Sequence, residues 1–305
     1  MSTANRSKFN NLYTKGLFKT MIDEFKRYGD EFKPIYYKGT SDTDRETLHY
    51  MSGLGLLSQK REGTAIKYDV PVDGPVKDVV HETFGLGFRV TEEAIEDDKY
   101  GKMKAMSQEL GISARETINV QLFAPLNLGS SSTYFTSADG KAIFATDHTK
   151  LNGDTYSNSY TASSLSIDSI QDDLLVFENL TDHRGKIINR AGSCKLIVAN
   201  PALEWKLAEI FGSTMNPETS NNAINSLVKS RPSLKYMVTP YVTSTTARHY
   251  IGETSPIRGL IYFMRRPVTF ARDGDFNTGD ALFKVTYRMG RGVADPMNIA
   301  YNPGA

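Results

Sequence analysis

The stretch from Val90 to Leu126, VTEEAIEDDKYGKMKAMSQELGISARETINVQLFAPL, carries the longest helical periodicity in the chain and separates two regions built on a different period. Met103, Met106, Leu110, Ala114, Ile118 and Leu122 recur every three or four residues, so one stripe of a helix over 91–126 faces an apolar partner. Thr91 suits the N-cap, and Glu92, Glu93, Glu96, Asp97 and Asp98 place negative charge at the positive end of the helix dipole. Pro125 is expected to stop it. Unbroken, such a helix spans on the order of 50 Å at about 1.5 Å per residue, which sets a minimum dimension for the fold. Gly101 and Gly111 are weak points, and Ser113 with Glu116 offers a capping box for a second helix, so a break near Gly111 stays open.

The flanking regions follow other rules. Residues 9–28 form a helical stripe of Phe9, Leu12, Tyr13, Leu17, Met21, Phe25 and Tyr28, and between Arg6 and Lys38 eight basic residues face four acidic ones. This arm is either a solvated helix or a strap lying along a neighbouring subunit. From Ser52 to Val90 the period becomes two. Thr64, Ile66, Tyr68, Val70 and Val72 alternate with polar residues, Asp73-Gly74-Pro75 reads as a turn, and Phe84, Leu86, Phe88 and Val90 alternate again. The expectation is a long β-hairpin, too thin to be stable alone in water.

Asn127 to Ser164 reads as irregular loop, with short strands at best around Ala142 to Thr146. Leu165 to Leu180 returns to helical spacing, capped by Ser166 or Ser169. Lys195 to Ala199 suits a buried strand, after which Asn200 caps and Pro201 opens a helix that Gly212 ends. Residues 215–257 read as a smaller lobe with a strand candidate over Lys235 to Val242. Leu260 to Phe270 and Ala281 to Met289 read as two strands, the second alternating Phe283, Val285, Tyr287 and Met289 with Lys284, Thr286 and Arg288. The class is α+β.

Chemistry is not where this sequence is distinctive. A nucleophile would have to come from Cys194 or a serine working with His49, His81, His148, His183 or His249, yet no nucleophile elbow, phosphate loop or dinucleotide glycine pattern is present. Gly85, Gly87 and Gly290 read as bends and close packing. Asp147 with His148 reads as a surface pair rather than a metal site, the carboxylates after Thr91 as a helix start, and Asn179-Leu180-Thr181 as a chance acceptor sequence. One cysteine excludes an intrachain disulfide and a thiolate-rich zinc site. The 305 residues carry 36 basic and 35 acidic side chains, a net +1, so no large positive field holds the protein to nucleic acid. No run of 18 apolar residues and no signal core appear, so the expectation is a soluble cytoplasmic product with no membrane contact. No cofactor is called for.

Three stretches in this order resemble the major capsid proteins of tailed bacteriophages with the HK97-type fold. GLGFRVTEEAIEDDKYGKM from Gly85 is similar to that family's passage from extended hairpin (E-loop) to spine helix. KLIVANPALEWKLAEIFGS from Lys195 is similar to its strand and helix leading into the axial (A) domain. RGLIYFMRRPVTFARDGDFNTGDALFKVTYRMGRGVADP from Arg258 is similar to its closing strands. The resemblance implies an N-terminal arm over 1–50, an E-loop over 51–90, and a peripheral (P) domain over 91–194 with the spine helix at 91–126. An axial domain over 195–257 follows, with a return to peripheral strands over 258–305.

It further implies a non-enzymatic subunit assembling into hexamers and pentamers of an icosahedral shell around double-stranded DNA, built in the host cytoplasm and ending in the virion. Partners would be other copies of itself, a separate scaffolding protein because the chain begins directly with the arm, a portal, decoration proteins and non-specifically packaged DNA. Inter-subunit contacts would fall on Lys67, Asp69, Asp73, Gly74, Pro75, Lys77 and Asp78 of the E-loop, with arm packing through Leu17, Met21 and Phe25. A lysine–asparagine crosslink, where used, would join Lys67 or Lys77 to Asn277, Asn298 or Asn302. The alternatives are an encapsulin-like compartment shell and, from another class, a soluble α+β hydrolase.

Overall fold

Two helices crossing at a glycine set the frame. The computed structural model describes residues 6–91, 93–94, 101–188, 193–215, 224–275 and 278–305, with side chains from Gly16 onward. Helix α1 (Arg6–Arg27) lies on the long helix α2 (Lys102–Leu128). A Cβ at Gly111 would sit 2.5 Å from the carbonyl oxygen of Met21, so only glycine admits the α1 backbone there. Gly111 is therefore a contact point rather than a break, and α2 runs through it. Arg115 completes the strap: Nε donates to Phe25 O at 3.0 Å, the guanidinium lies 3.9 Å from the Phe25 ring centre, and it pairs with Asp30. The arm thus packs on its own chain, with Leu17 and Met21 buried and Phe25 half-buried. The side chains of Phe9, Leu12 and Tyr13 lie outside the described residues.

The expected stripe on α2 holds at Met103, Leu110, Ile118 and Leu122, all buried. Met106 departs from it, at 40 % exposed. Of the start signal, Thr91 Oγ1 accepts from Ala94 N at 3.3 Å, while Glu92, Glu96, Asp97 and Asp98 lie outside the described residues. Gly101, with φ of 66°, precedes α2. Pro125 does not stop the helix. It forfeits one backbone hydrogen bond, but buried Phe123 and Leu126 anchor the last turn beyond it, and the helix closes at Gly129.

Beneath α2 lies a sheet of order β1 (Tyr36–Gly39), β10 (Leu260–Gly274), β11 (Ala281–Val293) and β4 (Glu82–Val90), antiparallel except for β1 beside β10. The alternation predicted for β11 holds: Phe283, Val285, Tyr287 and Met289 are buried. Pro267 falls where the β10–β11 register shifts, the place in a sheet that tolerates a missing donor. Helix α2 serves two cores on this sheet, one with Leu17, Met21, Phe283 and Val285, the other with Phe32, Ile35, Tyr262 and Tyr287.

A second sheet orders β12 (Ile299–Asn302), β9 (Arg248–Ile251), β7 (Leu196–Ala199) and β8 (Lys235–Val238). Helices α3 (Ile167–Glu178) and α4 (Glu204–Gly212) share its core. The Ser166–Ser169 capping box and the Asn200 cap are present as read from sequence. Asp173 knots this lobe: its carboxylate accepts from Arg248 Nε at 3.0 Å, Tyr250 OH at 2.6 Å and Asn302 Nδ2 at 3.0 Å, joining α3, β9 and β12. Residues 167–178 and 299–302, expected in the peripheral part, thereby contribute to this second core. The region 127–164 is mostly irregular, with a small ladder of β5 (His148–Thr149) and β6 (Thr155–Tyr156). Short helix α5 (Ser226–Ser230) completes the lobe.

The hairpin is not where the sequence pattern placed it. Its legs are β2 (Arg45–Met51) and β3 (Asp73–Val80), while β4 joins the main sheet. Asp73, Gly74 and Pro75 open β3 instead of turning. Gly74 is required because a Cβ would approach Tyr50 O to 2.6 Å across the ladder.

Replacing Gly111 by alanine should lower stability although alanine favours a helix interior by about 1 kcal/mol. The collision with Met21 outweighs that gain by the roughly 1–3 kcal/mol typical of overpacking. A depressed midpoint in thermal unfolding followed by circular dichroism checks it; a raised midpoint contradicts the crossing.

Candidate assembly surface

Between β2 and β3 the chain leaves the body for residues 52–72, which form no strand. The two ends are tied together: Ser52 N donates to Val72 O at 2.8 Å, and Val72 N to Ser52 Oγ at 2.8 Å. Leu54, Leu56, Leu57, Ile66, Tyr68, Val70 and Val72 are all exposed, Tyr68 to 90 % and Leu57 completely. Burying one such side chain is worth about 1.5–3 kcal/mol, so an excursion that hides none of them is built for another surface.

The root of this loop is gripped by the turn at Asp182–Lys186. Asp182 Oδ1 accepts from Arg184 N and Lys186 N at 2.8 Å, and Gly185 takes φ of 78° to close the turn. Arg184 then donates to Ser52 Oγ at 3.2 Å, to Asp69 Oδ1 at 3.2 Å and to Val70 O, and Lys186 Nζ donates to Leu54 O. Asp69 also accepts from Gly55 N at 2.7 Å. The Gly55 N–H first, and Arg184 with it, hold the Asp69 carboxyl below its usual range.

Under the root, the Tyr50 ring stacks on His183 with centroids 5.0 Å apart. Burial, then the charges of Asp295 and Asp139, push the Tyr50 hydroxyl up. His183 Nδ1 accepts from Leu151 N at 3.2 Å, and Asp295 pairs with Arg258 at 3.0 Å. Nearby, His148 is fully buried, with Nδ1 2.7 Å from Asp139 and Nε2 3.2 Å from Ile143 O. Both ring nitrogens thus face oxygen atoms of the chain's own fold. Burial opposes the charge on Asp139, but hydrogen bonds from His148 and Ser137 outweigh it and hold the carboxyl well below its usual range. His148 is therefore no surface partner of Asp147, which pairs instead with Lys141 at 2.7 Å.

The structure separates the residues expected on the E-loop. Lys67 and Asp69 lie in the excursion, whereas Asp73, Gly74, Pro75, Lys77 and Asp78 lie in β3. Lys77 Nζ donates to Thr136 Oγ1 at 2.6 Å, and Asp78 accepts from Thr47 at 2.8 Å. Of the expected crosslink partners, Asn302 is buried on Asp173, Asn298 donates to Glu253 O at 2.9 Å, and Asn277 lies outside the described residues. Sequence reading passed over β2, although Leu48 and Tyr50 alternate there with exposed residues. It also passed over Trp205, 82 % exposed on α4.

Cys194 is buried, its thiol pushed up to about 12 by burial, with Sγ directed at the carbonyls of Leu196 and Ile251. That environment disfavours the thiolate a nucleophile needs. Among the described residues no group of three or more side chains forms a metal site, and no helix is long and apolar enough to cross a membrane.

A family model described as phage capsid protein matches residues 76–302. The chain is similar in structure to a virus-like particle from Pyrococcus furiosus (TM-score 0.54, 12 % identity, covering 95 % of this chain and 99 % of that one). It is also similar to the capsid of cyanophage P-SCSP1u (TM-score 0.57, 9 % identity, covering 88 % and 86 %). A third similarity is to the procapsid of bacteriophage JBD30 (TM-score 0.51, 15 % identity, covering 98 % and 75 %). No curated protein matches the chain.

Arg184→Ala should loosen the loop root at neutral pH. After solvent screening the lost bonds are worth about 1–2 kcal/mol, roughly tenfold in the rate of limited proteolysis within 54–70. Asp69 and Asp139 are depressed groups, so their contribution is present above the unfolded carboxyl value of about 4 and is lost as pH falls through the folded value. Acidification of the unmodified protein below about pH 4 should therefore accelerate the same cleavages.

Proposed function

The chain belongs to the phage capsid protein family, and from that premise we propose that copies of it close as hexamers and pentamers into an icosahedral shell around double-stranded DNA. It is a structural shell protein with the HK97-type fold, located in the virion capsid. The observation that carries the assembly reading is the 52–72 excursion, a loop held rigidly at its root by Arg184 and Lys186 while its apolar side chains stay outside. An apolar loop of that kind is stabilised when a neighbour covers it, so folding energy is shared between copies.

The proposed segmentation assigns 6–27 to the arm, 52–72 to the E-loop, α2 to the spine, the main sheet to the peripheral part and the second sheet to the axial part. Net charge near zero suits a wall that encloses DNA without adhering to it. Assembly takes place in the host cytoplasm, with portal, scaffolding and decoration proteins as partners. A hydrolase built on Cys194 is not supported, because its thiol is buried against main-chain carbonyls with no histidine among its hydrogen-bond partners.

Exchanging residues 54–70 for a short Gly-Ser linker tests the reading. Surface loops accept such exchanges at little thermodynamic cost, so the far-ultraviolet spectrum and thermal midpoint of the subunit should persist while closed particles disappear from size-exclusion profiles. Particles of unchanged size would contradict it.

A further inference from the structure

The main sheet has a second face, turned away from α2. On β11, Phe283, Val285, Tyr287 and Met289 are buried toward the helix, so Leu282, Lys284, Thr286 and Arg288 point the other way. The ladder sets their neighbours: Arg288 lies between Arg266 of β10 and Thr83 of β4, Thr286 between Thr269 and Gly85, and Lys284 between Ala271 and Gly87. The β2–β3 hairpin covers one end of this face. A Cβ on Gly290 would sit 2.9 Å from Val79 Cγ1, and one on Gly292 2.6 Å from Val79 Cγ2, so the hairpin rests there. Past it, Arg266, Lys284, Thr83 and Thr269 are exposed.

Three observations give this open face an unbalanced positive charge. Cations at its margins are matched, Arg265 by Asp42 at 3.4 Å and Arg89 by Asp280. Arg266, Lys284 and Arg288 pair with no carboxylate among the described residues, and Asp273 lies at the far end, opposite Leu282. Second, Arg288 Nε is buried without a hydrogen-bond partner, and His81, 5 % exposed, leaves its Nδ1 without one. Third, burial and then the charge of Arg288 push the His81 imidazole down, outweighing Glu46, so the field at this end of the face is positive.

We propose that the open face of the main sheet receives the phosphate backbone of the enclosed duplex DNA, with Arg266, Arg288 and Lys284 as its phosphate contacts. The inference rests on the shell-subunit reading and names the wall that meets the DNA. Four residues along β11 separate Arg288 from Lys284 by about 13 Å, close to the roughly 12 Å of a major groove, so backbones on both sides of a groove each meet a cation. Gly85 and Gly87 keep the surface between them low, and the hydroxyls of Thr83 and Thr269 add donors that phosphate oxygens accept. No base-reading element is present on the face, which suits contact with any sequence. Three contacts release about 2.7 counterions, so the face holds DNA at low salt and lets it slide at physiological salt, in keeping with a net charge of only +1.

Fluorescence anisotropy of a labelled duplex of about 20 base pairs, titrated with the full chain below its assembly threshold, tests the assignment. With Arg266, Lys284 and Arg288 all changed to Gln, affinity at about 20 mM salt should fall tenfold or more, and the slope of log Kd against log salt should drop by about 2.7. Lys284→Gln alone, at an exposed side chain, should remove about one from the slope, which keeps the test readable if the triple variant unfolds. The charge-keeping variant Arg266→Lys/Arg288→Lys should bind as the unmodified chain does. Unchanged affinity and slope in the Gln variants overturn the proposal, as does loss of binding in the folded Lys variant. Free phosphate that displaces the duplex better than chloride at equal ionic strength marks a single-oxyanion site and overturns the DNA assignment. Binding lost from Arg6→Gln/Lys8→Gln/Lys15→Gln but kept in the sheet variants assigns the DNA to the arm and overturns it too. Closed particles are scored separately. Duplex binding that depends on the face, with no particles from the unmodified chain, upholds the face and sinks the shell reading; particles with duplex binding indifferent to the face do the reverse.

Discussion

The close crossing of α1 on α2 at Gly111 is the contact on which the rest of the subunit depends. Because α2 lends one face to two cores of the main sheet, its position fixes both. Locking α1 onto it through Arg115, Phe25 and Asp30 brings residues 30–36 to the point where β1 can pair in parallel with β10. From there the chain runs through β2 to the loop root, so the direction in which the loop leaves the body follows from the helix crossing. A broken α2 would uncouple these parts, and its continuity through Gly111 and Pro125 is what makes the molecule a strut.

Elements whose pattern reports their own packing were legible in the sequence. The apolar stripe of α2, strand β11, the Ser166 box and the Asn200-Pro201 start all rest on local periodicity or capping and form as read, although α2 spans Lys102–Leu128 rather than 91–126. What was not legible depends on partners far apart in the chain. The alternation of Ile66 to Val72 is real, but those residues form no strand and leave their apolar side chains exposed, so the pattern resembled a hairpin leg and concealed the true legs, β2 and β3. His148 looked like a surface residue because its acceptor, Asp139, sits in a tract with no periodicity. Pro125 was read as a stop because the anchoring of Phe123 and Leu126 by the sheet is tertiary.

The assembly surface was legible only in part. Lys67 and Asp69 lie on the excursion, whereas Asp73 to Asp78 belong to the ladder beneath it. No sequence signal marks the 182–186 turn as the clamp on the loop root, since Asp182, Arg184 and Lys186 read as an ordinary polar turn. The family resemblance supplied the order of parts, and the contacts that make those parts work had to come from the fold.

The central claim is that this chain leaves apolar surface exposed in order to bury it between copies. Negative-stain electron microscopy of the purified protein across a concentration series tests it most directly. The account predicts closed particles of uniform diameter above a threshold concentration. A monodisperse monomer at every concentration, with no closed particles, would contradict it.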